Sequence, residues 1–101
     1  MYIYNVTNKV SWAIQDQWVK WMKEVHIPEV MATGCFTESR MLHLLENDDE
    51  EGATYAVQYR VASKEQYEHY INTYAPALRQ DALNRWGDQF IAFRTIMQVV
   101  H

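Results

Sequence analysis

Thr54-Tyr55-Ala56-Val57-Gln58-Tyr59-Arg60-Val61 alternates two kinds of side chain over eight residues. Tyr55, Val57, Tyr59 and Val61 form one apolar series, and Thr54, Ala56, Gln58 and Arg60 a mixed one. Alternation at period two predicts a strand with one face packed on a core. Three further segments repeat the pattern: Tyr2 to Asn8, Phe36 to Leu45 and Phe90 to Met97. Their apolar parity reads Tyr2, Tyr4, Val6; Met41, His43, Leu45; and Ile91, Phe93, Met97. The other parity reads Ile3, Asn5, Thr7; Phe36, Glu38, Arg40, Leu42; and Phe90, Ala92, Arg94, Ile96. That second series is too apolar for open water and too charged for a dry core.

Between the strands lie two helices. Ile14, Trp18, Trp21, Met22 and Val25 recur at helical spacing after Ser11, whose hydroxyl suits an N-cap. That helix is expected over about Ser11 to Val25, and Pro28 predicts that it ends or restarts there, with a short helical turn over 28–33 and a release at Gly34. Ser63-x-x-Gln66 opens the second helix as a capping box. Tyr67, Tyr70, Ile71, Tyr74 and Leu78 form its buried stripe, and Pro76 predicts a break near Tyr74–Ala75. Gly87 marks its stop. The acidic run Asn47 to Glu51 reads as a solvated hairpin turn, because metal ligands must converge and adjacent side chains do not. The order is β-α-β-β-α-β. Right-handed crossovers then give a four-stranded antiparallel sheet in spatial order 4-1-3-2, with both helices on one face. This is an α+β, ferredoxin-like architecture formed by a single domain over residues 1–101. The mixed parity is its uncovered face, and there Asn5, Gln58, Arg94 and the Glu38/Arg40 pair are expected to form a row across all four strands.

Composition limits the function. Nine Lys and Arg against thirteen Asp and Glu leave a net charge of −4, without a basic patch for a phosphate backbone. RNA-binding sheets of this topology place aromatics on the open parity of the third strand; here those positions are Thr54 and Ala56. Nucleic acid is therefore excluded. No apolar run approaches a membrane span, and the amino terminus enters strand pattern at once. The single Cys35 leaves no internal disulfide. A cytoplasmic protein without membrane association is the expectation. The histidines do not cluster, so no metal site and no cofactor are expected.

The open face permits two uses. A ligand reading places a small anionic molecule between two sheets, held by Arg40, Arg60 and Arg94 and oriented by Asn5 and Gln58. Glu38 and His26 are then the candidate catalytic groups for proton transfer. A structural reading makes the same row an interface network that sets subunit register. Both imply a homodimer through the open sheet faces, since Ile3, Leu42, Ala92 and Ile96 would otherwise stay exposed.

Several stretches resemble a known family: Met1-Tyr-Ile-Tyr-Asn-Val6, Trp18-Val-Lys-Trp-Met22, His26-Ile-Pro-Glu-Val30, Gly34-Cys-Phe36, Tyr55-Ala-Val-Gln-Tyr59, Ala75-Pro-Ala-Leu-Arg79 and Phe90-Ile-Ala-Phe-Arg94. Together they look like domain of unknown function 4286, over essentially the whole chain. That family brings no assigned activity. At fold level the pattern is similar to the dimeric α/β-barrel group, which includes antibiotic-biosynthesis monooxygenase-like and muconolactone isomerase-like enzymes. That likeness implies a homodimer of two face-packed sheets. It offers a cofactor-independent oxygenase or isomerase as the alternative to a binding domain, and a structural or protein-interaction module as the third possibility. A haem role, known in that group, would need an axial ligand, and His26 is the residue to test.

Overall fold

The computed structural model describes residues 1–101. Strand β1 spans Tyr2–Ser11, β2 Glu38–Leu44, β3 Gly52–Val61 and β4 Phe90–Gln98. They form one antiparallel sheet in the order β2-β3-β1-β4, the expected arrangement. Helices α3 (Lys64–Thr73) and α4 (Ala75–Trp86) lie either side of Tyr74, so Pro76 breaks the helix where expected. The fold is α+β and ferredoxin-like.

Local chemistry explains the boundaries. The Ser11 hydroxyl accepts from the Ala13 N–H, and the Ser63 hydroxyl from the Gln66 N–H at 3.1 Å. Each satisfies a helix-start donor that has no partner within the helix. Gly34 and Gly87 close helices with φ of 78° and 61°, a region costly for side chains bearing a Cβ.

The core lies between sheet and helices. Val10, Val57 and Val61 on the sheet and Trp18 and Val30 above it are almost wholly excluded from solvent. Beside them Tyr4, Phe36, Tyr59 and Tyr70 form an aromatic cluster, with Phe36 and Tyr70 edge to face at 4.7 Å. Phe36 thus departs from its expected place on the open parity. It precedes β2 and turns into the core, since its strand begins only at Glu38. Leu45 lies past the other end of β2 and is exposed.

Two larger differences matter for function. First, helical structure does not stop at Val25. A 3-10 turn (Trp12–Ile14), α1 (Gln15–Trp21), a π-helical turn (Met22–His26) and α2 (Ile27–Ala32) run on without a gap. Pro28 sits in the first turn of α2, directly after the π turn. The π turn just before it carries the Ile27 N–H to the Met22 carbonyl, five residues back. The added residue shifts the helical phase. Val25, expected in the buried stripe, is exposed, and His26 and Ile27 turn inward instead.

Second, β4 has the opposite parity to the one expected. Val10, Asn8, Val6 and Tyr4 pair with Phe90, Ala92, Arg94 and Ile96, so those four β4 residues lie on the helix-covered side. Ile91, Phe93 and Met97 lie on the open face, with Ile91 57% and Phe93 65% exposed. Both parities of β4 are apolar, so hydrophobicity alone does not choose between them. A one-residue change of register exchanges the faces.

Candidate functional site

The π turn delivers His26 to the space between the first helical run and the sheet. The ring stacks on Trp21 at 4.9 Å and 24°, and Trp21 meets Trp86 edge to face at 5.8 Å. The imidazole Nδ1 is sealed from solvent with no hydrogen-bond partner, whereas Nε2 is not sealed. An N–H with no acceptor is among the rarer buried defects, which favours the neutral tautomer carrying its hydrogen on Nε2. Burial drives the His26 pKa down to about 4; Asp81 opposes the shift, and the positive charge of Arg94 adds to it. At neutral pH the ring is an uncharged donor at Nε2.

Arg94 arrives from the opposite wall. It pairs with Val6 on the covered face of the sheet, so it takes no part in the expected row with Asn5, Gln58 and Arg40. Thr95 occupies that place. Arg94 and His26 line one cavity of about 50 Å³, together with Trp21, Met22, Tyr59 and Tyr70. The tyrosine hydroxyls remain protonated, since burial raises the pKa of both Tyr59 and Tyr70 above the ordinary phenol value. The cavity therefore combines an apolar and aromatic lining with donors: a guanidinium, a neutral imidazole and phenols. It accommodates a few heavy atoms or ordered waters, far less than a porphyrin.

The other expected residues stay on the open face. Arg40 Nε donates to Gln58 Oε1 at 3.1 Å, Gln58 Nε2 to Asn5 Oδ1 at 3.3 Å, and Asn5 Nδ2 to Thr7 Oγ1 at 3.0 Å. This chain crosses three strands. Arg60 and Glu38 form an ion pair at 3.6 Å with both side chains well exposed. Arg40, Gln58, Arg60 and Glu38 border a shallow depression of about 260 Å³. The surplus of guanidinium groups expected there is absent: Arg40 has an amide partner, Arg60 has a carboxylate, and Arg94 is on the other face. The two catalytic candidates are likewise separated, Glu38 on the open face and His26 beneath the helices. No three His, Cys, Asp or Glu side chains gather as a metal site requires.

Sequence reasoning missed Trp21, Tyr70 and Arg79 as neighbours of the site. Trp21 and His26 are five residues apart, the i to i+5 spacing of a π turn, which was the one available signal. The acidic loop is tied down by Trp12, whose indole donates to the Asp49 carbonyl at 2.9 Å. No helix is long and apolar enough to cross a membrane.

Comparison with solved structures gives the same architecture at very low sequence identity. An EthD family protein from Bacillus halodurans superposes with a TM-score of 0.69 at 9% identity, covering 99% of this chain and all of the other. A dimeric ferredoxin-like protein from an uncultured marine organism gives 0.70 at 10% identity, covering 99% and 95%. A protein from Deinococcus radiodurans named for the antibiotic biosynthesis monooxygenases gives 0.61 at 13% identity, covering 100% and 94%. At such identities the likeness concerns the fold alone. No curated protein matches the sequence. The model of a domain of unknown function, DUF4286, matches residues 1–100, and the chain belongs to that family.

Proposed function

We propose that this protein binds a small polar or anionic molecule in the cavity between its first helical run and its sheet, and that it does so as a homodimer. One observation carries the binding reading. Arg94 and His26 reach the same cavity from opposite walls, and neither has a carboxylate partner, whereas Arg60, which like Arg94 is largely exposed, has one. A guanidinium at the edge of a mostly apolar cavity offers charge-assisted hydrogen bonds to an anion or a carbonyl oxygen, and the neutral imidazole adds a second donor. Asn5, Arg40, Gln58 and Arg60 then act in assembly, ordering the face that meets the second copy. Cytoplasmic residence belongs to the same proposal, in keeping with the free, buried Cys35.

Screening small carboxylates and phosphates for thermal stabilisation tests this, because a ligand of the native state raises the midpoint. A hit whose stabilisation disappears in Arg94→Gln is the expected result. Stabilisation that survives Arg94→Gln and disappears in Arg40→Ala would move the site to the open face. An oxygenase or isomerase reaction would use the same cavity with His26 as proton acceptor. A pKa of about 4 makes that ring a base weaker than an ordinary imidazole by roughly two powers of ten or more, which favours binding over base catalysis.

The dimer reading rests on the open face. Leu42, Leu44, Ile91, Phe93 and Met97 are all exposed, and they flank the polar chain from the two outer strands. Such an apolar frame on one flat face is more than soluble monomers commonly leave in water. A second copy related by a two-fold axis would bury it and oppose two identical polar centres. Light scattering at micromolar concentration is expected to give twice the chain mass; the mass of a single chain would overturn the dimer.

A further inference from the structure

We infer that Arg79 and Arg94 together form an anion-binding mouth to the His26 cavity, and that the molecule it admits is a short-chain carboxylic acid. The inference rests on the reading of that cavity as the ligand site, and it adds the second arginine and the ligand class. A groove of about 220 Å³ opens beside β4, bordered by Arg79 and Leu83 of α4 and by Phe90, Ala92 and Arg94 of β4. Phe90, Ala92 and Arg94 also line the inner cavity, so the two spaces share a wall. Both guanidinium groups lie close enough to lower the Tyr70 pKa against the larger upward effect of burial.

Two cations on one small groove repel each other unless an anion lies between them. The protein supplies none: Glu38–Arg60 is the one ion pair in the structure. Asp81 on α4 acts on His26, but it pairs with neither arginine. Arg79 is also partly committed. Its Nη2 donates to the Tyr4 hydroxyl at 3.2 Å, and its Nε is sealed without a partner. Three of its five hydrogens, two on Nη1 and one on Nη2, remain for a ligand. That limited supply suits the two oxygens of a carboxylate better than the three of a phosphate. The inner cavity of about 50 Å³ limits the rest of the molecule to an uncharged end of a few heavy atoms beside the His26 ring. The apolar floor of Leu83, Phe90 and Ala92 covers the carbon chain between them.

Butyrate, 1-butanol and inorganic phosphate separate charge from chain, and NMR reads the two ends of the site independently. For so small a ligand, affinity in the millimolar range is the expectation. Butyrate should shift the guanidinium Cζ resonances of Arg79 and Arg94 together with the His26 ring and the Trp21 indole. The alcohol at equal concentration should leave the arginines unmoved, and phosphate should bind more weakly than butyrate. Arg79→Gln and Arg94→Gln should each weaken butyrate about tenfold, the loss of one charge-assisted contact. If Arg79→Gln binds as the wild type while Arg94→Gln does not, the two-arginine mouth is wrong and the cavity reading stands. If the arginines move while His26 and Trp21 stay silent, the cavity reading fails and the inferred ligand fails with it. Phosphate binding tighter than butyrate, or no response to butyrate, overturns the carboxylic acid. Should Arg79→Gln unfold, the wild-type resonances decide alone: an Arg79 guanidinium Cζ that butyrate does not move overturns the mouth.

Discussion

The two faces of the sheet treat arginine differently. On the open face Arg60 meets Glu38 and Arg40 meets Gln58, so each guanidinium has a partner supplied by a neighbouring strand. On the covered face Arg94 and Arg79 border a cavity and a groove, and no carboxylate reaches either. The first arrangement organises a surface; the second leaves charge available to a ligand. The faces also differ in what their apolar residues do. Those of the covered face make the protomer's core, and those of the open face stay exposed on the single chain.

The largest effect belongs to the covered face. Trp18→Ala should cost about 3–5 kcal/mol, because the indole is almost wholly buried against Tyr55 and the cavity left behind collapses only in part. Denaturant unfolding measures this. A loss below about 1 kcal/mol would show that the helical run is not docked as described.

His26 gives the next effect, and its sign follows from its depressed pKa. The unfolded chain takes up this proton near 6.5 and the folded one only near 4. Between those values the unfolded state holds more protons, so stability falls as pH drops from about 6.5 to about 4 and levels off below. The loss attributable to this residue is at most about 3 kcal/mol. His26→Gln should flatten the midpoint-against-pH curve in that window. An unchanged slope in the variant would place the responsible group elsewhere.

The open face supplies the contrast. Phe93→Asp should leave the protomer's circular dichroism as in the wild type while light scattering falls to the mass of a single chain, because two like charges would meet across the interface. The wild-type melting midpoint should rise with protein concentration, and the variant's should not. A dimeric Phe93→Asp would show that the second copy sits elsewhere. Smallest of all is Glu38→Gln, which should change protomer stability by a few tenths of a kcal/mol, since the ion pair is exposed. A loss above about 1 kcal/mol would mean that Glu38 is buried in solution, as a tight dimer would make it.

Much of the fold was legible because it depends on local signals. Alternation in β1, β2 and β3 identified the strands and their faces, since in these one parity is distinctly more apolar. Ser11, Ser63, Gly34, Pro76 and Gly87 marked boundaries through groups that act on their own backbone. The candidate site was less legible. Asn5, Arg40 and Gln58 do join across the sheet, but Arg94 does not join them, and the cavity's Trp21 and Tyr70 and the groove's Arg79 come from separate helices.

Periodicity and caps, which act over a few residues, were enough for the four strands, the order of elements and the stop at Gly87, and the quoted stretches were enough for the family. The tertiary structure alone decided which face β4 presents. Phe90, Ala92 and Ile96 are as apolar as Ile91, Phe93 and Met97, so pairing with β1 made the choice. It also decided the inward turn of His26, because a π turn before Pro28 depends on what the helix packs against, here a ring on Trp21 and a cavity below it. Above all it decided that His26, Arg94 and Arg79 converge. They lie on three different elements, and only packing those elements on one sheet brings them to two adjoining spaces that share the Arg94 wall.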